Sequence, residues 1–238
     1  MIKIEKVEVD GWKAATRGTR NPLESWEKSD SFFCTGYRPD RSKCGNCVYS
    51  DGNGDCINYE EIPVFTLGEN DLELMRKLCY NGSDERKFMR MLHVSMDVTA
   101  PIFWWSEYDT YKVGTVRNSC SKMHRIHVKQ ITAGDFTTEG IDAVGGYARE
   151  VFNNVVGLCE ALRENFNETQ NRNFWRALIE ILPEGYNMKA TIDFNYENAL
   201  NMYKARHNHK LTEWHVFCDS LLELPHFKDI TGKLLKFD

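Results

Sequence analysis

The sequence predicts an α+β fold in which a small mixed sheet precedes a helix-rich second half. Three observations carry this. Apolar and polar residues alternate at 2–9, with one irregularity, and at 93–98, close to the period of two that half-buried strands require. Apolar residues three and four apart dominate most of 142–224, as amphipathic helices demand. Between these regions, 29–62 is rich in Gly, Asp, Ser, Asn and Cys with little apolar periodicity, the composition of an insert without its own core. At 238 residues and 42% hydrophobic content, the chain can bury one core, so we read 1–238 as a single domain carrying that Cys-rich insert.

The elements follow in order. Ile2, Ile4, Val7 and Val9 mark a first strand, and 11–17 a short helix that Asn21-Pro22 ends. Asn70-Asp71 predicts the cap of a helix running through Cys79, with Leu72, Leu74, Met75 and Leu78 on its apolar face and Asn81-Gly82 closing it. A helical segment follows Asp84, and a strand covers 93–98. Ala100-Pro101 opens an aromatic helix through Tyr111, with Pro101 in the first turn. Residues 114–127, rich in Ser, Asn and basic side chains, give no assignment. Four helices are then expected, over 142–167, 170–182, 190–207 and 211–224.

Composition narrows the function. A net charge of −5 argues against coating a nucleic-acid polymer by charge, and leaves room for a single nucleotide. No apolar run reaches transmembrane length, and Met-Ile-Lys-Ile-Glu-Lys is no signal-peptide core, so a cytoplasmic protein without a membrane partner is expected. Eight cysteines without a secretory signal point to thiols or metal in a reducing compartment.

Within the insert, Cys44-Gly45-Asn46-Cys47 forms a C-x-x-C knuckle, and Cys34 and Cys56 flank it with nine and eight residues between. Four thiolates can close a tetrahedral structural zinc site and order a coreless loop. The same ligands could hold an iron–sulfur cluster, and the alternative to both is a loop of free thiols. Cys79, Cys159 and Cys218 stand beside apolar helical residues and read as core.

Two segments carry ligand-binding chemistry. Leu182-Pro183-Glu184-Gly185-Tyr186 feeds a helix on which Asn195, Asn198, Asn201 and Asn208 lie near Arg206. Amides beside a guanidinium suit a polar, planar ligand such as a nucleobase or an isoalloxazine ring; the alternative is a solvated helix face. The second segment, 106–125, offers Lys112, Arg117, Lys122 and Arg125 with Asn118, Ser119 and Ser121 to a phosphate, the alternative being a polar surface loop. Neither a Walker sequence nor a G-x-S-x-G or G-x-G-x-x-G motif occurs. His207 and His209 lack a signposted third metal ligand, and nothing marks Cys120 as an activated nucleophile.

These residues resemble the flavin-dependent thymidylate synthases, which methylate deoxyuridylate with FAD rather than a cysteine nucleophile. Pro183, Asn195, Asn201 and Arg206 look like that family's Leu-Pro loop, two asparagines and substrate-binding arginine, and Ala14-Ala15-Thr16-Arg17 like its early Ala-Ala-Arg helix. The stretch 82–88 stands at its His-rich turn, and the aromatic helix from Pro101 leads to the place of its flavin motif. The resemblance spans most of 1–20 and 68–224 and omits the cysteine insert. The family's Arg-His-Arg signature is absent; Asp109-Thr110-Tyr111-Lys112-Val113 stands there. Its phosphate-binding arginine before the Pro is Ile179 here, with Arg176 one helical turn earlier.

The resemblance implies FAD, reduced by NADPH, a methylene group from methylenetetrahydrofolate, and transfer to C5 of dUMP or a relative, a methyltransferase step of nucleotide biosynthesis. It implies Arg206 as the catalytic and pyrimidine-binding residue, Asn195, Asn201, Lys112 and Asn118 on the cofactor, and Ser119, Ser121, Arg117 and Arg176 on the nucleotide. Cys34, Cys44, Cys47 and Cys56 remain the expected metal ligands. A homotetramer is the expected assembly. The alternative is a nucleotide- or flavin-binding protein of the same fold without turnover, acting as a regulator or ligand sponge.

Overall fold

The computed structural model describes residues 2–34 and 64–235. Strand β1 (Lys3–Asp10) leads through Gly11 into helix α1 (Trp12–Arg20), followed by 3-10 turns at Asn21–Leu23 and Trp26–Lys28. Strands β2 (Phe32–Cys34) and β3 (Val64–Thr66) pair antiparallel, Phe33 opposite Phe65. Helix α2 (Glu69–Asn81), a 3-10 segment (Arg86–Met91), β4 (His93–Pro101) and α3 (Ile102–Tyr108) come next. The second half runs β5 (Thr115–Ser119), α4 (Lys122–Arg125), α5 (Glu139–Val144), α6 (Gly146–Thr169), α7 (Arg172–Ile181), β6 (Asn187–Asn195), α8 (Tyr196–Arg206), α9 (Thr212–Leu222) and α10 (Phe227–Thr231). The larger sheet has the order β1-β4-β6-β5, so β5 lies at an edge.

The chain divides into two units. The first comprises Met1–Val7, Ser95–Asp193 and Asn208–Phe217. Its helices α6 and α7 close over Ile126, Ile131, Phe136, Phe152, Val156, Cys159 and Leu178. A second cluster of this unit is aromatic: the Trp104 ring lies 4.9 Å from both Trp105 and Trp214 and 5.4 Å from Phe217. Such ring pairs add about 0.5–1.5 kcal/mol each beyond the area they bury. The other unit comprises Glu8–Val94, Phe194–His207 and Cys218–Asp238. It packs α1, α2, α8 and α10 around Met75, Cys79, Met89, Leu200 and Phe227, all fully buried. The Tyr196 ring bridges Trp12 and Phe227 edge-on at 5.7 and 5.4 Å.

Several expectations need correction. The helix expected over 190–207 is strand through Asn195, because Ala190, Ile192 and Phe194 are buried while Lys189, Thr191 and Asp193 alternate on the other face. The helical segment expected after Asp84 is present as a 3-10 helix, Arg86–Met91. Pro101 ends β4 and stands at the N-cap of α3, not inside its first turn. The unassigned 114–127 contains β5 and α4. Helix α2 is capped neither by Asn70 nor by Asp71. Its first amides are taken by a carboxylate upstream, Asp30, which accepts from Asn70 N at 3.0 Å and Asp71 N at 3.2 Å. Among the described residues, no helix is long and apolar enough to cross a membrane.

Candidate functional site

Helix α8 begins with a reciprocal cap. Asn195 Oδ1 accepts from Asn198 N at 3.0 Å, and Asn198 Oδ1 accepts from Asn195 N at 3.3 Å. These amides therefore start the helix before they do anything else. Tyr196, Glu197, Ala199, Leu200, Met202 and Tyr203 are buried, while Asn201, Lys204 and Ala205 face solvent. Arg206 ends the helix and is half-buried. At 3.6 residues per turn, Arg206 points about 140° round the axis from Asn201. The expected stripe therefore holds for Asn198 and Asn201, whereas Arg206 leaves it and Asn208 lies beyond the helix end.

The Leu182–Tyr186 stretch (182–186) also has structural work. The carbonyls of Tyr186 and Glu184 accept from Ile102 N at 3.1 Å and Phe103 N at 3.2 Å, satisfying the first amides of α3. Gly185 O accepts from Thr137 N at 2.8 Å, and a Cβ on Gly185 would stand 3.0 Å from Thr137 O. The loop holds in place the helix that carries Trp104 and Trp105.

The phosphate candidates divide by the strand alternation of β5. Thr115, Arg117 and Ser119 are half-buried on one face; Val116 and Asn118 are exposed on the other. Arg117 is already engaged: Nη1 lies 2.9 Å from Asp109 Oδ2, and the guanidinium sits 4.7 Å over the Trp105 ring. That ring is fixed by its Nε1 donating to Met188 O at 3.0 Å. Ser121 Oγ accepts from His124 N at 3.3 Å and caps α4. Lys112 is exposed. Arg176 is exposed on α7 and pairs with Glu180 at 2.5 Å. So β5 brings Arg117 and Ser119 together and separates Asn118 from them.

Polar networks not anticipated from the sequence lie elsewhere. On the sheet, Thr191 Oγ1 donates to Asp97 Oδ1 at 2.7 Å and Lys189 Nζ approaches Oδ2 at 3.0 Å. Hydrogen bonds from Thr191 and Lys189 hold the Asp97 carboxyl down at about 2. In the other unit, Arg86 Nε lies 2.9 Å from Glu197 Oε2 with both side chains largely buried. Cross-strand alternation at 95–99 and 189–193 was the available signal for the first; nothing local marks the second. Burial raises the Tyr108 phenol far above its ordinary range, and its hydroxyl has no hydrogen-bond partner among the described residues. It holds its proton at neutral pH.

Of the expected metal ligands, Cys34 is buried at the end of β2; Cys44, Cys47 and Cys56 lie outside the described residues. Among the described residues, no cluster of three or more His, Cys, Asp or Glu side chains could hold a metal ion.

No family model matches the sequence, and no curated protein matches it. Solved structures do. A crystal structure of Helicobacter pylori thymidylate synthase X with FAD and dUMP matches over 99% of this chain and 100% of that one, at 15% identity and a TM-score of 0.64. The chain has the fold of the flavin-dependent thymidylate synthases. A second H. pylori structure of a flavin-dependent thymidylate synthase, complexed with FAD and dUMP, matches over 98% of this chain with a TM-score of 0.63 at 15% identity. At this identity the thymidylate synthase likeness is one of fold.

Proposed function

We propose that this protein binds FAD and a pyrimidine deoxynucleotide and modifies the nucleotide at C5, as a divergent thymidylate synthase-like enzyme. The observation that carries the reading is the end-to-end match to synthase structures holding FAD and dUMP. The residues of this chain fit such ligands in part. Arg117 and Ser119, on one face of an edge strand with the Trp105 ring beneath the guanidinium, suit a phosphate. A phosphate there competes with Asp109 for the same guanidinium. Half-buried Arg206 suits a pyrimidine carbonyl, where its fixed charge would stabilise negative charge developing as C5 becomes nucleophilic. Asn201, exposed on α8, supplies donors and acceptors for a planar ring edge, whereas the Asn195 oxygen is committed to the helix cap.

When bound, a reduced flavin supplies the carrier chemistry for a one-carbon group, with NADPH as reductant and methylenetetrahydrofolate as donor. The chain's own part is orientation and charge. Four insert cysteines holding zinc and a homotetrameric, cytoplasmic protein complete the proposal.

A second reading keeps binding and drops turnover. The absence of the Arg-His-Arg triplet, with Asp109-Thr110-Tyr111-Lys112-Val113 in its place, favours it. The deciding experiment is the visible spectrum of the purified protein with FAD, before and after dUMP, followed by tritium release from dUMP labelled at C5. A flavin spectrum that responds to dUMP, with tritium release, supports the enzyme. Binding without release leaves the receptor. A protein that ignores both ligands overturns both readings.

A further inference from the structure

A cavity of about 400 Å³ opens in the second unit, between one stripe of α1 and the paired strands β2 and β3. It is lined in part by Ser29, Ser31, Phe32 and Phe33, at the start of the insert segment. One wall is cationic: Lys13, Arg17 and Arg20 share one face of α1 with Thr16 at helical spacing. The facing wall is aromatic, with Trp26, Phe33 and Phe65, and Phe33 meets Phe65 edge-on at 5.4 Å. Among the described residues, no acidic side chain lines the cavity.

Two polar groups in this wall are buried without partners. Arg20 is 6% exposed and Thr16 4% exposed, and neither Arg20 Nη2 nor Thr16 Oγ1 has a hydrogen-bond partner among the described residues. Leaving such donors dry is costly, so native folds satisfy them with protein, water or ligand. Arg20 is held rigidly. Its Nε donates to Asp71 at 2.7 Å, and Asp71 in turn accepts from Ser29, Ser31 and the Asp30 amide. The cavity therefore sets the fixed, incompletely paired Arg20 and Thr16 and the exposed Lys13 and Arg17 opposite an aromatic wall.

We infer that this cavity is a binding site for a small organic anion with a planar apolar body, its carboxylate or phosphate held by Arg20, Thr16 and Arg17. The body lies against Phe33 and Phe65, and its volume matches a single-ring or two-ring ligand. The inference does not depend on flavin or nucleotide chemistry, since none of the residues proposed for those ligands lines the cavity.

The test is calorimetric titration of the full-length protein with 2-naphthoate and with its neutral counterpart 2-naphthamide, at low ionic strength. The site predicts that naphthoate binds at least about tenfold more tightly than the amide, the scale of one charge-assisted hydrogen bond. Thr16→Val and Arg17→Gln should each weaken naphthoate severalfold, and Arg172→Gln, exposed at the start of α7, should leave it unchanged. Thr16→Val removes an unpartnered hydroxyl at nearly constant volume, so its thermal midpoint should stay at or above the parent's and the binding loss cannot be ascribed to unfolding. Phenyl phosphate in competition ranks phosphate against carboxylate, and either ranking supports the site. Absence of naphthoate binding, equal affinity for the amide, or unchanged affinity in both α1 variants overturns it.

Discussion

Arg20 and Asp71, 51 residues apart in sequence, form a buried ion pair with Nε 2.7 Å from Oδ1 and side chains 7% and 0% exposed. Asp71 is also the acceptor for both Ser29 and Ser31 hydroxyls at 2.7 and 2.6 Å. One carboxylate thereby ties α1, α2 and the start of the insert together. Asp71→Asn keeps the shape but strands the Arg20 charge, and should cost about 3–5 kcal/mol, read as a lower urea midpoint.

The same carboxyl gives a pH signature. Burial pushes its pKa up, but the Ser31, Ser29 and Arg20 hydrogen bonds outweigh it, and the net shift is below the ordinary 3.8. Asp71 therefore stabilises the fold above pH 3.8, and that contribution is lost as pH falls through the lowered folded value. Denaturation curves between pH 5 and 2.5, taken as about that range, should show a steeper acid loss in the parent than in Asp71→Asn.

The Asp97 carboxyl is held down at about 2, mainly because Thr191 donates to it and then because Lys189 does. Thr191→Val should move the Asp97 carboxyl signal in NMR titration back toward 3.8. An unmoved midpoint would show that Thr191 does not set it.

A strand was legible where one residue period ran through most of it, as in β4, where Val94, Met96, Val98 and Ala100 recur at every second position. That was not so at β6. There Asn187–Asn195 joins α8 without a turn residue, so a helical reading absorbs the strand. Asn195 and Asn198 were visible as chemistry, but their first use is as a helix cap, and spacing alone does not distinguish the two. Arg117 was legible as a cation. Its Asp109 partner eight residues away and the Trp105 ring depend on how α3 turns into β5, which no local pattern encodes.

Burial sorts the described cysteines by reactivity. It pushes the Cys79 thiol up to about 11 and the Cys218 thiol up to about 12, whereas Cys120 is exposed. Timed alkylation at neutral pH with peptide mass mapping should label Cys120 at least about tenfold faster than Cys79 or Cys218, since the thiolate is the reacting form. Comparable rates would show that those helices open readily.

Gly11 joins β1 to α1 with φ +95°, and a Cβ built there would lie 1.8 Å from Met91 O. The clash is with backbone, and the left-handed conformation adds its own strain. Gly11→Ala should therefore destabilise by at least about 2 kcal/mol, lowering the thermal midpoint while leaving Gly82→Ala, which meets nothing within 4 Å, less affected by crowding.

The Asp109–Arg117 pair offers a direct test of whether β5 receives a phosphate. Asp109 is about half exposed, so the pair itself contributes little to stability and Asp109→Asn should leave the urea midpoint nearly unchanged. Removing the competing carboxylate releases the guanidinium, still seated over Trp105, for an incoming anion. If Arg117 binds phosphate, Asp109→Asn should tighten dUMP or FAD severalfold and Arg117→Gln should weaken the same ligand by about tenfold, the scale of a charge-assisted hydrogen bond. If both substitutions leave both affinities untouched, Arg117 serves only to brace Trp105 against the edge strand.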